Sequence, residues 1–191
     1  MTGSSTYDLN LDKGSLLISE PFLPDPNFER TVILICDHNE QGTVGFVLNK
    51  RAEISIGDVV EEFGEITSEL YVGGPVEQNT LHFIHKIPFE LDGSLNLGEG
   101  IAWGGDFEKL KFLINIQKAS LEDVRFYLGY SGWSPGQLKK EIEENTWIVY
   151  KPDNLTLIWD MEPADLWRMI LKKMGGKFKM MSNYPIDPRL N

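Results

Sequence analysis

Residues 31–37 read Thr-Val-Ile-Leu-Ile-Cys-Asp, a run that is apolar almost without alternation. A strand with one face in water alternates apolar and polar side chains, so an unbroken aliphatic run demands cover on both faces. The chain must therefore place this segment centrally in a sheet and supply apolar material above and below it. Other β-branched or aliphatic runs bounded by turn formers fall at 15–19, 43–49, 70–73, 80–85, 124–130, 147–150 and 155–159. The last two are separated by Lys151-Pro152-Asp153-Asn154, which predicts a hairpin.

Helical signals are fewer. Ser55 with Asp58 three residues later predicts a short capped helix that turns Ile56, Val59, Val60 and Phe63 inward. Asp106 predicts the cap of a longer helix with Phe107, Leu110, Leu113 and Ile114 at helical spacing. Ser134-Pro135-Gly136-Gln137 has the form of a capping box with proline at the first helical position, and Leu138 and Ile142 follow on the inner side. Leu166, Trp167, Ile170, Leu171 and Met174 make an apolar stripe that ends at Gly175-Gly176, after which the tail is expected to be irregular. Strands and helices mix without strict alternation, so the expected class is α+β with a mixed sheet. At 191 residues and 41% hydrophobic the chain can build one ordinary core, and a single domain over 1–191 is expected.

Charge narrows the partners. Twenty-nine acids against 18 bases give a net charge of -11, which repels phosphate and argues against nucleic acid as a partner. The exception is the stretch from Arg168 through Lys172, Lys173, Lys177 and Lys179, and lysines in the last turn of a helix already complement its dipole. No run is long enough to span a bilayer, and Met1-Thr2-Gly3-Ser4-Ser5 lacks the pattern of a signal peptide. With a single cysteine, Cys36, a cytoplasmic protein without membrane attachment is expected.

Four segments carry a resemblance. They are Gly14 to Pro21 (GSLLISEP), Gly42 to Asn49 (GTVGFVLN), Tyr71 to Val76 (YVGGPV) and Gly129 to Leu138 (GYSGWSPGQL). In order and spacing these resemble the AlgH/YqgE family of bacterial proteins, from Leu11 to about Gly175, with 176–191 as a C-terminal extension. The resemblance implies a bifurcated, bent mixed sheet folded as a pseudo-barrel with flanking helices. It implies no established activity. Some members are labelled transcriptional regulators, and His85 matches a histidine position of the family whereas His82 does not.

Each candidate site has a structural alternative. Gly73-Gly74-Pro75 could turn backbone N–H groups into an anion-binding nest, or it could be a tight turn that only glycine tolerates. Gly132-Trp133 with Gly136-Gln137 could present an exposed indole beside a helix start, although Gln137 can be accounted for by reaching back to Ser134. Ser131 has a glycine one residue too early for a nucleophile elbow. Cys36 and His38 fall on one face of a strand, and His82 and His85 on another strand, yet their spacing fits no familiar metal signature. Gly98-x-Gly100 and Gly104-Gly105 lack the spacing and the leading strand of a dinucleotide fingerprint, and read as turns before the Asp106 cap.

The sequence thus points to a binding protein, its ligand a small molecule or a protein, with Gly73, Gly74, Pro75, His85, Gly132, Trp133, Gly136 and Gln137 forming one surface. No cofactor, metal or catalytic group is assigned. The alternatives are an enzyme using His85 or Cys36, and a transcriptional regulator.

Overall fold

The computed structural model describes residues 11–63, 68–88 and 90–186. Residues Met1 to Ser5 and the end of the C-terminal extension lie outside them. Ten strands, β1 (Leu16–Ser19), β2 (Val32–Asn39), β3 (Gly42–Val47), β4 (Arg51–Ser55), β5 (Glu69–Val72), β6 (Val76–His85), β7 (Leu95–Gly98), β8 (Ile101–Trp103), β9 (Val124–Trp133) and β10 (Trp147–Tyr150), are accompanied by five helices. These are α1 (Phe107–Asn115), α2 (Gln137–Glu143), α3 (Leu157–Asp160), α4 (Pro163–Met174) and α5 (Gly176–Met181).

The strand order is β10-β1-β2-β3-β9-β6-β8-β7, with β4 and β5 branching off β9. The fork lies within β9 itself. Its C-terminal end, Ser131 to Trp133, pairs antiparallel with β3, whereas Phe126 to Leu128 pairs in parallel with β5, and Val124 to Tyr130 pairs antiparallel with β6. The sheet is therefore mixed and bifurcated, as the family resemblance implies. It stays open, because the hydrogen-bonded path ends at β10 and β7.

The apolar run of β2 has both faces covered. Val32, Leu34 and Cys36 enter one apolar cluster with Leu166, Trp167, Ile170 and Leu171 of α4, and Ile33 and Ile35 enter another with Trp133, Leu138 and Trp147. The α4 stripe thus covers one face of this branch while the turn into α2 covers the other. A third cluster fills the second branch, where Leu110 and Leu113 of α1 pack on Phe83, Val124 and Phe126. Asp106 caps α1 by accepting from the Lys109 N–H at 3.0 Å.

Several local expectations are corrected. Residues 155–159 form no strand: the Asn154 side chain accepts from the Thr156 N–H at 2.8 Å and turns the chain into α3. Leu157 and Ile158 are both buried in the apolar cluster to which α4 contributes. The tail from Gly176 coils into α5, and the segment after Ser55 forms two single 3-10 turns that leave Val59 exposed. Asp58 accepts from both the Ser55 N–H and hydroxyl at 2.8 Å, as its spacing predicts. Helix α2 begins at Gln137 with Gly136 as its cap residue, two positions later than the proline suggests. Strands β4, β7 and β8 are short or largely polar, and carry little periodicity in the sequence.

Candidate functional site

The Gly-Gly-Pro-Val turn leads from β5 into β6 where three strands meet. The Gly73 N–H donates to Leu128 O at 2.8 Å, and its carbonyl accepts from the Val47 N–H at 2.8 Å and the Ser131 hydroxyl at 3.1 Å. A Cβ on Gly74 would overlap the carbonyl of Tyr130. Close approach of backbones, rather than a nest of outward N–H groups, is what these glycines provide here. The same bond disposes of Ser131 as a nucleophile, since its hydroxyl is buried and committed to a carbonyl.

Trp133 is buried at 6% exposure, against the expectation of an exposed indole. It stands edge-on to Trp147 of β10, with ring centroids 6.0 Å apart, and Trp147 stands edge-on to Phe28 at 5.4 Å. Glu141 of α2 holds the arrangement. One of its oxygens accepts from both indole N–H groups, each at 2.8 Å, and the other accepts from the Gln137 amide at 2.9 Å. Gln137 in turn accepts from the Ser134 N–H at 3.0 Å, the reach-back that its position predicts. Neutral donors on one carboxylate make charge-assisted bonds, stronger than neutral pairs.

Together these groups wall a cleft of about 310 Å³ lined by Pro75, Gly132, Trp133, Gln137, Glu141 and Trp147, with Asp25 and Phe28 opposite. Among the described residues no lysine or arginine lines it. Lys50 has its amino group held by the Pro26 carbonyl, and burial lowers its pKa even though Asp25 and Glu29 favour its charged form. A wider depression of about 490 Å³ shares Gly132 and Trp133 and continues over Asp37, Thr43 and Tyr130.

The expected surface is therefore drawn together in part. Pro75, Gly132, Trp133 and Gln137 line one cleft; Gly73 and Gly74 lie buried behind it, and Gly136 is exposed at the start of α2. His85 belongs elsewhere. It closes the far end of β6: Val76 pairs with Tyr130 and His85 with Val124, so the two lie roughly 20 Å apart along β9. There its Nε2 lies 3.2 Å from the Gly104 carbonyl, so it carries the proton, and 3.3 Å from the Ser94 hydroxyl, while its Nδ1 is buried without a partner. Burial lowers its pKa more strongly than the Gly104 bond raises it. Cys36 is buried against Leu34 O, with its thiol pKa pushed well up by desolvation and by Asp37. His38 is exposed and pairs with Thr43 at 2.7 Å, and His82 contacts Thr80 at 3.0 Å. Among the described residues no three His, Cys, Asp or Glu side chains gather in a metal-binding group. The sequence reading missed Glu141, Trp147, Phe28 and Asp25. Only the placement of Glu141 four residues after Gln137, one helical turn on, hinted that they would meet.

A family model described as AlgH-like matches residues 16–179. A UPF0301 protein of Cytophaga hutchinsonii is 44% identical over 182 residues, covering 95% of this chain and all of that one. Another from Chlorobaculum tepidum is 40% identical over 181 residues, covering 95% and 96%. Among solved structures, a crystal structure of a protein from Corynebacterium diphtheriae matches with a TM-score of 0.73 at 25% identity, over 91% of this chain and 93% of that one. The solution structure of the AlgH protein from Pseudomonas aeruginosa matches with a TM-score of 0.70 at 28% identity, over 97% and 98%. Family model, relatives and fold agree, and the chain belongs to the AlgH-like family.

Proposed function

We propose that the chain is a cytoplasmic binding protein acting as one domain, and that the cleft beside Trp133 receives a positively charged group. The observation that carries this reading is the Glu141 carboxylate, fixed by two indoles and an amide in the lining of a cleft whose described residues include a second acid, Asp25, and no base. A carboxylate offers about four acceptor sites. Three are taken, and the fourth is left for a ligand ammonium or guanidinium. Trp133, Trp147 and Phe28 add rings to the walls, and an aromatic face attracts a cation by about 0.5–2 kcal/mol, more as water is excluded. Pro75, Gly132 and Gln137 supply a rim drawn from two separate segments, Tyr71 to Val76 and Gly129 to Leu138. Gly73, Gly74 and Gly136 support that rim, while His85 has no part in it.

The reading is tested by titrating the protein with lysine methyl ester, arginine methyl ester and tetramethylammonium while following the indole N–H resonances of Trp133 and Trp147. Saturable shifts of those two resonances by at least one of these cations are expected, lost in Glu141→Gln. Shifts that never saturate, or equal response to the anion acetate, would overturn it. The enzyme alternative loses its geometric support, since His85, Ser131 and Cys36 each bond to different backbone carbonyls.

A further inference from the structure

A second cleft, of about 410 Å³, opens on the other branch of the sheet between β5, the start of β9 and the junction of α3 with α4. Arg125 lines it. The guanidinium lies 5.1 Å from the centre of the Trp159 ring and 5.8 Å from that of Tyr71. Trp159 is itself fixed, its indole N–H donating to Glu122 O at 3.2 Å. Arg125 has no carboxylate partner among the described residues, because Arg51 takes the nearby acids, Glu69 at 2.9 Å and Glu162 at 2.5 Å. The buried Arg125 Nη1 and the hydroxyl of Tyr127, a fully buried side chain two residues further along the same strand, lie close enough to interact but form no well-aligned hydrogen bond with each other or with any other described group.

Alternate strand residues face the same side, so two unmet polar groups come from one face of β9. Buried donors without acceptors are rare and costly, and a guanidinium shielded by two rings interacts with an anion far more strongly than one in open water. Among the described residues Arg125 is therefore a guanidinium without an anionic partner. A plain phosphate does not suit the remainder of the cleft, since Glu69, Glu122, Asp160 and Glu162 outnumber Arg51 and Arg125 there by two charges. What fits is a ligand with an anionic end for Arg125 and a cationic end for the acids that Arg51 leaves unpaired.

We propose that this cleft binds a small zwitterion of the α-amino-acid class, its carboxylate accepting from Arg125 and its ammonium facing Glu122 and Asp160. This site is separate from the cleft beside Trp133 and stands or falls independently of it. The test uses the full chain and NMR titration with a panel of free L-amino acids, each compared with its methyl ester and its N-acetyl derivative, and with acetate, phosphate and methylamine. At least one free amino acid is expected to shift the Trp159 indole N–H saturably, with the ester and the acetylated form each bound about tenfold more weakly or worse. Arg125→Gln is expected to weaken binding by a similar factor. The proposal is overturned if no amino acid moves that resonance, if the ester binds as well as the free acid, or if acetate or phosphate saturates the site equally. Should Arg125→Gln fail to fold, the comparison of derivatives on the unaltered protein decides.

Discussion

Glu141 offers a sharp test of how the Trp133 corner is held. Replacing it with leucine keeps a good helix former of similar length and removes the acceptor shared by Trp133 and Trp147. The two indoles are only 6% and 3% exposed, so neither N–H finds full solvation in return. Each buried donor left unmet costs about 1–3 kcal/mol. The half-buried position of Glu141 at the cleft edge lets some water in, so about 2–4 kcal/mol is expected for the pair. For a chain of this size that is roughly 5–15 °C in melting temperature. Glu141→Gln is the control. Its single amide oxygen can still serve both indoles, so only charge assistance and the Gln137 contact are lost, about 1 kcal/mol. Urea unfolding followed in parallel by circular dichroism and tryptophan emission measures both variants. If Glu141→Leu falls within about 0.5 kcal/mol of Glu141→Gln, the shared carboxylate does not hold the corner.

Three further outcomes follow from the geometry. Gly74→Ala forces a Cβ into the Tyr130 carbonyl, and a loss of about 3 kcal/mol or more is expected; Gly136→Ala, with φ of 76° and nothing within 4 Å of the added carbon, should cost only about 1 kcal/mol. Urea midpoints that rank the two the other way would refute the assignment of close approach at the Gly-Gly-Pro-Val turn. The Cys36 thiol, buried and held protonated, should react with Ellman's reagent only after denaturant is added, and rapid labelling of the native protein at pH 8 would contradict that. His85 has its pKa lowered by burial, and its Nδ1 has no acceptor to meet a second proton. Its contribution is whole above the ordinary value of 6.5 and falls away as pH drops below it, because the unfolded chain takes up the proton first. The gap in stability between pH 7.5 and pH 5.5 should therefore shrink in His85→Asn, and an unchanged gap would count against it.

Much of the architecture is written in periodicities that need no partner to be read. The unbroken run of β2 demanded two covered faces, and Val32 and Leu34 do go to one cluster while Ile33 and Ile35 go to the other. The α4 stripe is equally local, since helical spacing sets which residues share a face. What failed was local in another sense. Residues 155–159 have a strand's composition but follow an asparagine whose side chain starts a helical turn, and β4 has an edge strand's polar pattern. Short segments of this kind take their conformation from whatever lies beside them, which composition does not report.

The site was legible to the extent that its parts lie at the fork. Glycines at 73 and 74 read as a tight turn that only glycine tolerates, and the fork in β9 is the reason: β3, β5 and β6 all dock on that one strand, and the turn from β5 to β6 has to pass against it. Side-chain exposure is a different kind of quantity, because it depends on which distant segment arrives. Trp133 is covered because Ile33, Ile35, Val47 and Leu138 pack in its cluster, β10 brings Trp147 against it and α2 presents Glu141 to both indoles. The indole is therefore a buried strut rather than a displayed surface, and the recognition assigned to this corner passes from the ring to the carboxylate that fixes it. His85 went astray for the opposite reason: it follows the Gly-Gly-Pro-Val turn closely in sequence, but β6 carries it along the sheet from the Tyr130 end of β9 to the Val124 end.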